Sequence, residues 1–268
     1  MPSEHPTMHN LQVARPVQHP MQEILYRSRD PRLLADTVAR VVMKGWDLIS
    51  PADFSVLYRR VRCHTMCSNA RLRALYHGVR YIVSSNLTGD VVECGCARGG
   101  SAALMALALR QLSARRRIWL FDTFAGLPAP THEDPDYHIA DLYTGSCLGT
   151  VAEVRRFFED LDVADDVLFI KGLFQDTLPV SGVSQIALLH VDGDWYESVK
   201  TCLEQLYDKV IPGGIIQFDD YGYWKGARKA VDEFLRTRGI GVPLRRLDYS
   251  GRSLLKPPSR TVPRQQSA

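Results

Sequence analysis

Val91-Val92-Glu93-Cys94-Gly95-Cys96-Ala97-Arg98-Gly99-Gly100-Ser101 is an apolar run of strand length, a glycine-rich turn and the start of a helical segment. Glycines at such a turn let the backbone bend sharply and approach a ligand closely. The helix N-terminus behind them offers free N–H groups to an anionic group such as a carboxylate. The spacing is G-x-x-x-G-G, whereas a dinucleotide fingerprint requires G-x-G-x-x-G. Outward from this turn the pattern repeats. Apolar runs stand at 91–94, 118–121, 167–170, 186–191 and 214–218, with helical segments near 100–112, 151–160, 196–209 and 226–237. Strand–helix alternation, with runs apolar on both faces, predicts an α/β fold whose parallel sheet is covered on both sides. Two weaker strands, near 243–248 and 252–256, are expected to pair as a hairpin around Ser250-Gly251.

The segment before residue 91 reads as helical. Residues 31–47, 52–60 and 69–84 carry the spacing of helices; in the last, Leu72, Leu75, Tyr76, Val79 and Ile82 form one stripe. Residues 1–22 read as a loose arm and 257–268 as a disordered tail. The expected organisation is an N-terminal arm and helical extension over 1–85, a main domain over 86–256 and the tail.

Composition narrows the class. The 268 residues are 45% hydrophobic and 24% charged, with 33 basic and 30 acidic side chains and a net charge of +3. That balance predicts neither a nucleic-acid nor a membrane surface. No apolar run approaches the ~18–20 residues of a membrane span, and the first residues lack a signal-peptide pattern. A cytoplasmic enzyme or binding domain is expected. The six cysteines need not pair in such a chain. Cys63 and Cys67 flank His64, but no second Cys/His pair at zinc-site spacing accompanies them. Cys94 and Cys96 read as small packed residues beside the glycine turn.

Three further motifs leave strand ends. Asp122, some twenty residues past the glycine turn, is placed to take a ribose diol. Phe174 and Gln175, after the third strand, offer an aromatic face and an amide to a purine. Asp192-Gly193-Asp194 ends the fourth strand and Asp219-Asp220 the fifth, so four carboxylates are expected to converge. Unpaired, that much negative charge is unfavourable, and a divalent cation resolves the conflict. All-oxygen ligands suit magnesium, manganese or calcium. Three acids would hold the cation and the fourth, assigned to Asp194, would act as general base. His132 and His138, in the long connection over 125–150, are competing bases. Helix capping accounts for one acid of each pair but not for all four.

VVECGCARGGSAALMA, FDTFAGLP, GLFQDTLP, LLHVDGDWYESV and GGIIQFDDY, in that order, resemble the macrocin O-methyltransferase family. The likeness covers about residues 60–256, and Thr65-Met66-Cys67-Ser68 with Arg71-Leu72 resembles the family's lead-in to the first strand. It implies a Rossmann-like class I methyltransferase fold with a mostly parallel seven-stranded sheet. N-terminal helices would contribute to a lid and a homodimer. It implies S-adenosylmethionine and Mg2+ as cofactors and a hydroxylated small molecule, a natural-product sugar or a diol, as acceptor. Carried over by position, Glu93, Gly95, Ala97 and Ser101 would surround the methionine part, Asp122 the ribose, and Phe174 and Gln175 the adenine. Asp192, Asp219 and Asp220 would hold magnesium, with Asp194 as base; residues 1–60 and 125–150 would form the lid. The chain departs from the family at Cys94-Gly95-Cys96-Ala97, where Thr-Gly-Val-Trp is typical, and at Trp195, where a packing role competes with stacking on the acceptor. The rival readings are a nicotinamide-dependent oxidoreductase and a non-catalytic partner subunit that retains cofactor binding.

Overall fold

The computed structural model describes residues 52–258 and, before them, Val42, Gly45, Asp47 and Ser50. The arm over 1–22, nearly all of the helix read over 31–47 and the tail beyond 258 lie outside the described residues. Seven strands form one sheet in the order β3-β2-β1-β4-β5-β7-β6. They are β1 Asp90–Cys94, β2 Ile118–Asp122, β3 Val167–Lys171, β4 Ile186–Val191, β5 Val210–Phe218, β6 Arg245–Arg246 and β7 Arg252–Leu255. The first five are parallel; β7 runs antiparallel to β5 and to β6, so the expected hairpin is present. The order turns back at β1, between β2 and β4, and this is where open α/β sheets place their ligand crevice.

Period-2 alternation assigns each strand's side chains to two cores. Ile118 and Leu120 of β2 face one layer, with Val91 and Leu188. Trp119 and Phe121 face the other, with Val92, Leu189 and Ile216. The first layer is covered by α1 (Asp53–Val61), α2 (Asn69–Ser84), α3 (Gly100–Gln111) and α5 (Val151–Asp160). The second is covered by α7 (Tyr196–Leu206) and α8 (Lys225–Thr237). Two short helices, α4 (Tyr137–Ala140) and α6 (Phe174–Thr177), sit in connections. The stripe read in α2 is buried along its length. Gly78 of α2 brings the helix against Leu188 and Ile215, so close that a Cβ there would stand 2.9 Å from the Leu188 side chain. The described N-terminal helices therefore share one core with the sheet.

Helix starts follow local chemistry. Ser68 accepts a hydrogen bond from the Arg71 N–H and caps α2. Thr150 and Glu153 form a reciprocal capping box at α5. Gly99, at φ +80°, occupies the left-handed cap before α3. Among the described residues no helix is long and apolar enough to cross a membrane.

Candidate active site

The glycine turn after β1 is closed from inside the protein. Gly95 has φ +89°, and a Cβ on it would lie 1.8 Å from the Asp192 carbonyl oxygen, so only glycine lets β1 and β4 end this close together. Asp122 reaches across from β2. Its Oδ2 accepts from the N–H groups of Cys96 (2.7 Å) and Ala97 (3.0 Å), and its Oδ1 from that of Phe124 (2.7 Å). The side chain read as a ribose ligand thus braces the turn, and its weakest contact is the Thr123 hydroxyl at 3.4 Å. Ser101 is buried at the start of α3. Phe174 and Gln175 open α6, the first half-buried and the second exposed. Phe174 packs toward Gly193, where a Cβ would meet its ring at 3.4 Å.

Glu93 is wholly buried and points under β4. Its Oε1 lies 2.7 Å from His190 Nδ1, and Oε2 has no partner among the described residues. Glu93 pairs in register with His190, and His190 with Gln217. A buried polar row therefore crosses β1, β4 and β5 just below their C-terminal ends.

Above that row stand the four acids. One oxygen each from Asp192, Asp194 and Asp220 lie within 4.8 Å of one another, and Asp220 Oδ2 is buried without a partner among the described residues. Burial, reinforced by the charges of Asp220 and Asp194, pushes Asp192 well above the usual carboxylate range. Burial and Asp220 do the same to Asp194; burial also raises Asp220, against the pull of Arg71. Asp194 sits in the left-handed region at φ +55°, which turns its side chain away from the line of β4. The Trp224 indole N–H donates to its Oδ1 at 2.9 Å.

Asp219 is held differently. Its Oδ2 pairs with Arg71 of α2, and its Oδ1 faces Cys67 Sγ at 3.5 Å and His190 Nε2 at 3.3 Å. Arg71 also meets Asp248, whose carboxylate accepts from the Ser250 and Gly251 N–H groups. The structure thus gathers the acids into two overlapping groups, Asp192/Asp194/Asp220 and Cys67/His190/Asp192/Asp219, which share Asp192.

The connection over 125–150 is fastened to the second layer. Trp195, 2% exposed, donates from Nε1 to the Pro128 carbonyl at 2.7 Å and packs edge-on against Trp224. Its role is to pack and to pin the loop. Asp134 is buried and accepts from the Tyr196 N–H at 2.8 Å and the Thr131 N–H at 2.9 Å. His132 and His138 are exposed and have no contact with the acids. Sequence reasoning missed Arg71, His190, Asp248 and Trp224 as site residues. One signal was available: Glu93, His190 and Gln217 each stand one residue before the end of an otherwise apolar strand. Arg71 and Asp248 carry no local signal.

Residues 58–254 match the macrocin-O-methyltransferase family. The chain belongs to this family. It is 38% identical over 194 residues to the demethyldecarbamoylnovobiocin O-methyltransferase of Streptomyces niveus, which covers 70% of this chain and 74% of the relative. It is 35% identical over 196 residues, with the same coverage, to the 8-demethyl-8-(2,3-dimethoxy-alpha-L-rhamnosyl)-tetracenomycin-C 4'-O-methyltransferase of Streptomyces olivaceus. The solved O-methyltransferase NovP superposes with a TM-score of 0.69 at 35% identity, over 73% of this chain and 83% of that one. Membership makes the chain an S-adenosylmethionine-dependent O-methyltransferase, and the seven-stranded sheet with its glycine turn is the class I fold of such enzymes.

Proposed function

We propose that this macrocin O-methyltransferase family member methylates a hydroxyl on the sugar of a natural product, with a hard divalent cation held by Asp192, Asp219 and Asp220 and with Asp194 as general base. The observation that carries the cation is the crowding of Asp192, Asp194 and Asp220 oxygens within 4.8 Å, with Asp220 Oδ2 buried and unpartnered among the described residues. Asp219 stands in the neighbouring group that shares Asp192, and its choice as ligand with Asp194 as base follows the family resemblance. Carboxylates this close, two half-buried and one buried, repel strongly, and a donor set of oxygens fits a hard cation such as magnesium. When bound, that cation supplies charge that lowers the pKa of the acceptor hydroxyl.

The chain's own residues do the rest. Trp224 fixes Asp194 through Oδ1 and leaves Oδ2 for the acceptor proton. Asp194 takes that proton as the acceptor oxygen attacks the sulfonium methyl, and the carbon–sulfur bond breaks as the carbon–oxygen bond forms. A raised carboxylate pKa brings such a base closer to the working pH. Phe174, beside Gly193, offers a ring to the adenine, and Asp122 reaches the ribose by releasing Thr123. Tyr137, Ile139, Leu142 and Leu148 expose apolar side chains along the 125–150 connection, which suits the aglycone of a glycosylated acceptor. The relatives named above act on a rhamnosyl tetracenomycin and a novobiocin precursor. A second copy of the chain is the proposed partner; Val56, exposed on α1, and Met66, exposed between α1 and α2, are candidate contacts, and sedimentation equilibrium tests it.

The test is turnover on a panel of glycosylated natural products and their aglycones, in magnesium and in chelator. Methylation of glycosides that stops in chelator and returns with magnesium is the expected result. Turnover indifferent to chelator would remove the cation, and methylation of aglycones alone would remove the sugar.

A further inference from the structure

The second donor group beside the acids differs in kind from the first. Cys67, His190, Asp192 and Asp219 offer sulfur, nitrogen and two oxygens, one atom each, all within 4.8 Å. Cys67 Sγ stands 3.5 Å from Asp219 Oδ1 and 3.9 Å from Asp192 Oδ2, and His190 Nε2 stands 3.3 Å from Asp219 Oδ1. Tetrahedral zinc, with sulfur at about 2.3 Å and nitrogen or oxygen at about 2.0 Å, sets S···O edges of about 3.5 Å and N···O edges of about 3.3 Å. Two of the three separations match those edges, and the third is slightly long.

The imidazole is prepared for a cation. His190 is wholly buried, and its Nδ1 meets a Glu93 oxygen at 2.7 Å. Nε2, the other ring nitrogen, faces Asp219 Oδ1 at 3.3 Å, among the remaining donors of the group. A histidine that donates its far nitrogen to a carboxylate is the usual outer arrangement of a zinc ligand. A divalent ion is what would offset an ionised Cys67, because Arg71 is already shared between Asp219 and Asp248 and burial, with the Asp192 charge, holds the thiol's pKa high. Asp219 gives Oδ2 to Arg71 and turns Oδ1 to the group, so the Arg71 pair need not break.

We propose that Cys67, His190, Asp192 and Asp219 form a second cation site, selective for a zinc-class ion and fused to the oxygen-only site through shared acids. Sulfur and imidazole nitrogen select zinc over magnesium. Occupation releases the Cys67 proton to solvent, forms the sulfur–metal bond and draws Asp192 and Asp219 toward the new ion. It therefore opposes the hard cation; this consequence rests on the proposed function, whereas the binding itself does not.

The test uses the full chain, stripped with chelator and titrated with cobalt(II) as the spectroscopic probe. The expected result is a thiolate-to-cobalt charge-transfer band, with d–d absorption of tetrahedral intensity, saturating at one equivalent and displaced by zinc. Cys67→Ser removes the charge-transfer band, and His190→Gln weakens cobalt binding at least tenfold. An Asp194→Asn/Asp220→Asn double variant, altered only in the other group, keeps it. S-adenosylmethionine binding by each variant reports that it is folded. No band in the wild-type chain, or a band that survives Cys67→Ser, would overturn the site. In the second arm, zinc is titrated against methyl transfer at saturating magnesium. The zinc concentration for half-inhibition, relative to each protein's own uninhibited rate, rises at least tenfold in Cys67→Ser; equal sensitivity would overturn the opposition between the two ions. Turnover that ignores magnesium, alongside a cobalt band that needs Cys67, would sink the hard-cation reading and uphold this one.

Discussion

Two parts of one sheet edge treat their acids in opposite ways. At the β1–β2 end, Asp122 is satisfied by its own chain, with two N–H groups on one oxygen and one on the other. At the β4–β5 end, Asp192, Asp194 and Asp220 crowd together, and Asp220 Oδ2 has no partner among the described residues. Asp122 is half-buried, as Asp192 and Asp194 are, so the degree of burial does not separate the two ends. What separates them is whether the fold supplies donors. Asp47 repeats the first pattern elsewhere: wholly buried, it accepts from Ser55, Asn69 and Arg73 and is structural. A buried acid that the fold leaves without donors awaits something from outside.

The strongest way to break the comparison is to remove charge at the unsatisfied end. Asp194→Asn is expected to lower kcat by about 10²–10⁴-fold, the range for a lost general base, while S-adenosylmethionine affinity stays within threefold. Calorimetry beside steady-state kinetics checks this, and a variant with near-normal kcat would return Asp194 to a structural role.

The next effect is on stability. Asp192, Asp194 and Asp220 have folded pKa values raised above those of the unfolded chain. The native state therefore holds protons that the unfolded state has released. In chelator, stability is expected to fall as pH rises from the ordinary aspartate value, about 3.9, through the raised native values. Magnesium favours the ionised acids and should flatten that fall. At a hundredfold excess over Kd it adds about 2.7 kcal/mol, or about 5–10 °C in Tm for a chain of this size. Melting curves across pH, with and without magnesium, measure both; a Tm indifferent to magnesium at neutral pH contradicts the cation.

At the satisfied end, Asp122→Asn replaces a charged acceptor with an amide. A hydrogen bond to a charged group is worth about 1.5–3 kcal/mol. Denaturant unfolding should show a loss of that order, with S-adenosylmethionine binding weakened about tenfold. Unchanged stability would mean that the brace is not a brace. The smallest effect is expected from Trp224→Phe, which keeps the ring against Trp195 and removes the donor to Asp194. Losing one hydrogen bond of about 1 kcal/mol should cost about fivefold in kcat, with the pH profile shifted to higher pH because the donor that lowers Asp194's pKa is gone.

Much of this architecture is legible in the chain. The five parallel strands, their helices, the closing hairpin and the positions of Asp122, Asp192, Asp194, Asp219 and Asp220 follow from runs of apolar residues and the acids that end them. β5 starts earlier than its apolar run, because Val210-Ile211-Pro212-Gly213 pairs irregularly and Gly213 turns through φ +79° before the regular ladder begins. The long connection, 125–150, is read from the sequence as part of a lid; the contacts of Trp195 and Asp134 that fasten it at the start of α7 have no signal there.

Strand order along the chain, the glycine turn and four acids at one sheet edge were determined by sequence, because each depends on spacing within a few residues. Which acids would be satisfied was decided only by the tertiary structure. Arg71 and Cys67 reach Asp219 across about 150 residues, at separations of 148 and 152, and Glu93 reaches His190 across 97. No local pattern encodes such pairings. They arise when α2 packs on one face of the sheet and brings Arg71 and Cys67 over the ends of β4 and β5. Donor supply to a buried charge is a property of what surrounds it in space, and only the packed chain settles that.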